Sequence, residues 1–115
     1  HTIVEIHPQI IEKLKVWAKD KDNVTIAEGD WNSLELGTYD GIFLDTFGDD
    51  NLDKFKGFVL SKAKSGAKVT YWNNYGREDN QHSFSSISHE VISIAPESNQ
   101  YTKIKDGYYM PKVVI

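Results

Sequence analysis

Three acidic groups in this chain stand where an α/β sheet does its chemistry. Glu5 lies near the end of the apolar run Thr2-Ile3-Val4-Glu5-Ile6 and is followed by His7. Asp30 and Trp31 come shortly after the run Asn23-Val24-Thr25-Ile26-Ala27. Asp45 closes the run Asp40-Gly41-Ile42-Phe43-Leu44 and precedes Thr46. In open α/β sheets, ligands bind outside the carboxyl ends of the strands, and an acid at such an end accepts hydrogen bonds from ribose hydroxyls. An acid or aromatic after the next strand bonds or stacks on an adenine ring. An acid beyond the point where strand order reverses faces the reacting group. Each has a plainer reading. Glu5 could be a hydrated strand end, Asp45 a cap for the Thr46 or Phe47 amides, and Asp30-Trp31 a turn acid beside a core aromatic. Only the three acids together point to a ligand edge.

Other candidates carry less. Asp49, Asn51 and Asp53 match the first ligands of a calcium loop, but Lys54 stands where that loop needs Gly and Leu60 where it needs Glu. An acidic helix start explains them better. His1, His7, His82 and His89 have no paired metal-ligand spacing. The eight Gly residues never form a Gly-x-Gly phosphate loop, and no Ser/His/Asp constellation is readable. Asn23-Val24-Thr25 fits a glycosylation sequon inside an expected strand, where a chance match is the better explanation.

The elements that must position these acids follow from periodicity. Residues 2–6 read as a buried strand. Pro8 suits the first turn of a helix over 8–20, with Ile10, Ile11, Leu14, Trp17 and Ala18 on one face. Strands are expected at 23–27 and 40–46. A second helix has Leu52, Phe55, Val59 and Ala63 on its inner face, with Lys62 and Lys64 in its last turn. Ser65-Gly66 is expected to end it. A strand at 67–72 follows. Residues 88–95 and 108–115 read as an antiparallel pair at the sheet edge. The order strand–helix–strand–strand–helix–strand indicates an α/β fold with a mostly parallel sheet and an antiparallel C-terminal edge.

Composition narrows the function classes. A chain of 115 residues suits one domain, and 39% hydrophobic with 26% charged residues reads as globular. A formal net charge of -4 does not supply the basic surface that nucleic-acid binding needs. No apolar run approaches the roughly 18 residues of a membrane-spanning helix. Cys is absent, which excludes disulfides, thiolate metal sites and a Cys nucleophile. This is compatible with a reducing compartment, and a cytoplasmic location is expected.

The same residues carry a family resemblance. His1-Thr2-Ile3-Val4-Glu5, Leu14-Lys15-Val16-Trp17-Ala18, Gly29-Asp30-Trp31, the run from Tyr39 to Phe47 and Val69-Thr70-Tyr71-Trp72-Asn73 resemble the S-adenosylmethionine-dependent methyltransferases. Within these, the chain is similar to guanidinoacetate N-methyltransferase and the related arginine N-methyltransferases. The resemblance covers about two thirds of the chain, and the Asp-Gly-Ile-x-x-Asp-Thr run is its most specific part. It implies a Rossmann-like fold and S-adenosylmethionine as cofactor. Glu5 would bind the ribose, with Ile6 and His7 lining that site. Trp31, with Asp30 or Asn32, would contact the adenine. Asp45 would be the catalytic carboxylate, facing a small-molecule guanidino or amino acceptor. Asn74 and Tyr75 fall at substrate-contact positions, although their identities depart from the family.

The family's first strand and Gly-rich loop would precede His1. The resemblance therefore implies a single partial methyltransferase domain over 1–115, weak or inactive alone. The strands at 2–6 and 40–46 would then pair directly, be joined through another chain, as in a homo-oligomer at their exposed edges, or rearrange around the gap. The competing expectation is a non-catalytic α/β interaction or oligomerisation module that keeps the fold.

Overall fold

The computed structural model describes residues 1–46, 52–72, 84, 87–92 and 108–115. The chain divides into two units, His1–Gly37 and Thr38–Ile115.

In the first unit, strand β1 (Thr2–Glu5), helix α1 (Pro8–Ala18) and strand β2 (Thr25–Glu28) form a strand–helix–strand crossover. β1 and β2 run parallel, with Thr2 opposite Thr25 and Glu5 opposite Glu28. His7 is the N-cap of α1 in an extended conformation, and its carbonyl accepts from Ile10 and Ile11 N–H at 3.1 and 3.0 Å. Pro8 begins the helix, where its missing N–H costs nothing. The helix stops two residues earlier than the pattern suggests. Lys19 N–H turns back to Val16, Lys21 N–H to Ala18 and Val24 N–H to Lys21. This series of turns also delays β2 to Thr25. Lys21 closes the helix end, donating from Nζ to the Trp17 carbonyl at 3.0 Å and lying 4.5 Å from the centre of the Trp17 ring.

The apolar face of α1 is narrower than expected. Ile11 is buried and Leu14 and Ala18 are half-buried, but Ile10 and Trp17 are 46% and 51% exposed. A two-stranded sheet is too narrow to cover the whole stripe.

The second unit holds β3 (Tyr39–Leu44), α2 (Leu52–Lys62), β4 (Ala63–Tyr71), β5 (Ser88–Ile92) and β6 (Tyr108–Val114). The sheet order is β3-β4-β6-β5, with β3 parallel to β4 and β6 antiparallel to both of its neighbours. Parallel pairing among the first four strands and antiparallel pairing at the C-terminal edge match the mixed α/β expectation. Alternation in β4 buries Ala67, Val69 and Tyr71. On α2, Phe55 and Val59 are 1% and 0% exposed. Phe55 meets Tyr71 and Phe84 edge to face, at 6.4 and 6.2 Å between ring centres.

The end of α2 departs from expectation. Lys64 does not lie in the last turn of α2. The helix ends at Lys62, and Lys64 lies on β4, where its Nζ donates to Asp40 at 2.7 Å. Ser65-Gly66 marks a slip in the β3–β4 register, and Gly66 has φ of +80°, a conformation that favours glycine. Within the units, β1 ladders with β2 and β3 with β4.

Among the described residues, no helix is long and apolar enough to cross a membrane.

The aromatic contacts predict where the second unit is fragile. Phe55→Ala should cost about 3–5 kcal/mol by urea denaturation, the range for a fully buried aromatic. Leu60→Ala, on the exposed face of the same helix, should stay within about 0.5 kcal/mol. Equal costs for the two would contradict this packing.

Candidate functional site

Parallel pairing puts the carboxyl ends of β1 and β2 side by side. Gly29 N–H donates to the Glu5 carbonyl at 2.8 Å, extending the ladder one step past Glu28. The loops that leave the two strands therefore start next to each other. One begins Glu5-Ile6-His7 and the other Gly29-Asp30-Trp31-Asn32. Six residues picked out in the sequence, Glu5, Ile6, His7, Asp30, Trp31 and Asn32, thus share one edge of the first unit.

Glu5 has a defined pose. Its Oε1 accepts from the N–H of Ile6 at 2.8 Å and of His7 at 2.7 Å. These amides stand at the entry to α1, where the helix dipole also favours a negative charge. Both bonds fall on one oxygen, and no described residue donates to Oε2. Glu5 is therefore more than the hydrated strand end of the plainer reading: one oxygen is anchored by backbone amides, and the other has no donor among the described residues. Ile6 beside it is 66% exposed and gives this edge an apolar surface.

The second loop is organised by Asp30. Its Oδ1 accepts from Asn32 N–H at 2.9 Å, and its carbonyl accepts from the N–H of Ser33 and Leu34 at 3.0 and 3.1 Å. Asp30 is therefore partly used in building its own turn, as the plainer reading expects. Trp31, in the middle of this turn, is half-buried, and Asn32 is exposed. Gly29 makes the sharp exit from β2 at φ of +140°, and a Cβ there would come within 3.3 Å of Leu34 Cδ2.

Two participants were not singled out in the sequence. Glu28 is the last residue of β2 and not part of the loop, and it forms an ion pair with Lys15 of α1. Only the strand register shows that Glu28 is the neighbour of Glu5. In sequence, Lys15 is one of several lysines on the polar side of a helix.

Asp45 belongs to the second unit. It is exposed and is the first residue past β3, where the Leu44 carbonyl accepts from Trp72 N–H at 2.9 Å. No described residue donates to its carboxylate, so a cap on the Thr46 amide is not seen, and Phe47 lies outside the described residues. Asn74 and Tyr75 lie outside the described residues, as do Asp49, Asn51 and His82.

No protein-family model matches the chain. Among curated proteins, it is similar to protein arginine N-methyltransferase 2 of Saccharomyces cerevisiae, with 36% identity covering 68% of this chain and 21% of that protein. It is also similar to protein arginine N-methyltransferase 2 of Kluyveromyces lactis, with 34% identity covering 68% of this chain and 22% of that protein. The likeness to arginine N-methyltransferases read from the residues is thus found in two named relatives. The chain spans about a fifth of their length.

Gly29 yields a direct test of the loop. Gly29→Ala should lower stability by about 1–3 kcal/mol, the usual cost of a strained non-glycine conformation. It should also speed hydrogen exchange at the Asn32 amide. Unchanged stability and exchange would mean that the Asp30 turn does not depend on this conformation.

Proposed function

We propose that the chain contributes to an S-adenosylmethionine-dependent methyltransferase acting on a guanidino group, with the adenosine part of the cofactor held at the carboxyl ends of β1 and β2. The observation that carries this reading is the pose of Glu5. A carboxylate anchored through one oxygen, with the other open, suits the paired hydroxyls of a ribose. The half-buried Trp31 and the exposed Ile6 offer apolar surface for a purine, and His7 and Asn32 add polar groups at its rim. These residues fit an adenosine. When bound, the cofactor supplies a methyl group on a sulfonium, ready for in-line displacement.

Asp45 is assigned to the acceptor. A carboxylate orients a guanidinium through paired hydrogen bonds and stabilises its charge. A carboxylate is a far weaker base than a neutral guanidine, so its contribution is positioning and electrostatics. Its exposure at a strand end supports this role. The relatives' name, protein arginine N-methyltransferase, favours an arginine side chain over a free small-molecule guanidine. Asn74 and Tyr75 are proposed as further acceptor contacts on the resemblance alone.

Calorimetry with S-adenosylhomocysteine on the full-length protein tests the cofactor edge. Glu5→Gln should weaken binding about 10- to 100-fold, as expected for loss of charge-assisted hydrogen bonds. Asp45→Asn should leave that affinity unchanged and reduce methyl transfer to an arginine-containing peptide. Binding that ignores Glu5→Gln would defeat the assignment of this edge. A free guanidine methylated faster than the peptide would overturn the choice of acceptor.

A further inference from the structure

We infer that Lys15 is a positioning residue for the Glu5 carboxylate. By pairing with Glu28 it neutralises the like charge on the strand neighbour of Glu5, and so keeps the open oxygen of Glu5 available to a vicinal diol. This rests on the adenosine-edge reading above and adds to it a residue that lies away from the edge.

The register carries the inference. Glu5 and Glu28 are direct partners in the parallel β1–β2 ladder. Direct partners project from the same face of the sheet, on strands about 4.8 Å apart. Like charges so placed repel. Here each acid has its own compensation, and α1 is involved in both. At the helix entry, the Ile6 and His7 amides hold Glu5 Oε1. Lys15, about two turns into the helix, reaches Glu28 Oε1 with its Nζ. Lys15 and Glu28 side chains are 55% and 49% exposed, so solvent moderates the effect.

Without Lys15, the uncompensated Glu28 carboxylate pushes on its neighbour. Glu5 can move away only by breaking its two amide bonds, since these are what fix its pose. A misplaced Glu5 no longer presents Oε2 to a diol. Lys15 touches no ligand in this account; it acts through Glu28.

The test uses the full-length protein with Lys15→Met, Glu28→Gln, the double variant and Lys15→Arg. One readout needs no ligand: the backbone amide resonances and exchange rates of Ile6 and His7. The other is the affinity for S-adenosylhomocysteine. Lys15→Met should shift both amides, speed their exchange and weaken binding about two- to five-fold, the size expected for exposed charge pairs. Glu28→Gln and Lys15→Arg should behave as wild type. The double variant should regain the wild-type amide pattern and affinity, because the repulsion is gone. If the double variant stays as impaired as Lys15→Met, the ion pair is only a structural tie between helix and strand, and the proposal fails. It also fails if Lys15→Met leaves both amides unmoved. A wild type that binds no S-adenosylhomocysteine overturns the adenosine-edge reading and the ligand half of this proposal, while the amide resonances still decide the electrostatic half.

Discussion

The hydrogen bond from Gly29 N–H to the Glu5 carbonyl, 2.8 Å long, sets the arrangement of the candidate site. It extends the parallel ladder past the last paired residues and starts two loops at the same level. Side chains in a strand alternate between faces, so a slip of one residue would set Glu5 beside Ala27 and change every neighbour at the edge. In the observed register, an anchored carboxylate, an exposed isoleucine and a tryptophan-bearing turn share one end of a strand–helix–strand unit. The register also creates a problem, since two carboxylates become neighbours. The helix between the strands relieves it with amides at its entry and a lysine about two turns on.

The second unit places Asp45 by a different route. Leu44 is buried against the α2 side of the sheet, and its carbonyl is held by Trp72 N–H. The next residue must leave the core, and that residue is Asp45. Phe55 is the hub of this core, in contact with Tyr71 and Phe84 through its ring edges and faces. The position of the proposed acceptor carboxylate therefore depends on packing among residues with no chemistry of their own.

Much of this is legible in sequence because short-range rules act strongly. Pro8 after an extended His7 starts α1 as expected, and the inner face of α2 at Phe55 and Val59 follows from helical spacing. Alternation in Ala67, Val69 and Tyr71 marks β4 as a strand with one buried side. What periodicity cannot reach is register and partner choice. Lys64 follows the helical pattern yet bonds Asp40 from a strand, because β4 begins directly after Lys62. Ile10 and Trp17 fall on the apolar stripe of α1 yet remain half-exposed, because two strands cover only part of a helix face. Lys15 looks like a solvated lysine until the β1–β2 pairing puts Glu28 beside Glu5.

In the proposed function, the carboxyl ends of β1 and β2 hold an adenosine. A titration of the isotopically labelled full-length protein with S-adenosylhomocysteine, followed by amide and indole resonances, tests it most directly. The largest shifts should fall on Ile6, His7, Asn32 and the Trp31 indole. Shifts confined to residues of the second unit, or a spectrum that does not change at saturating ligand, would contradict it.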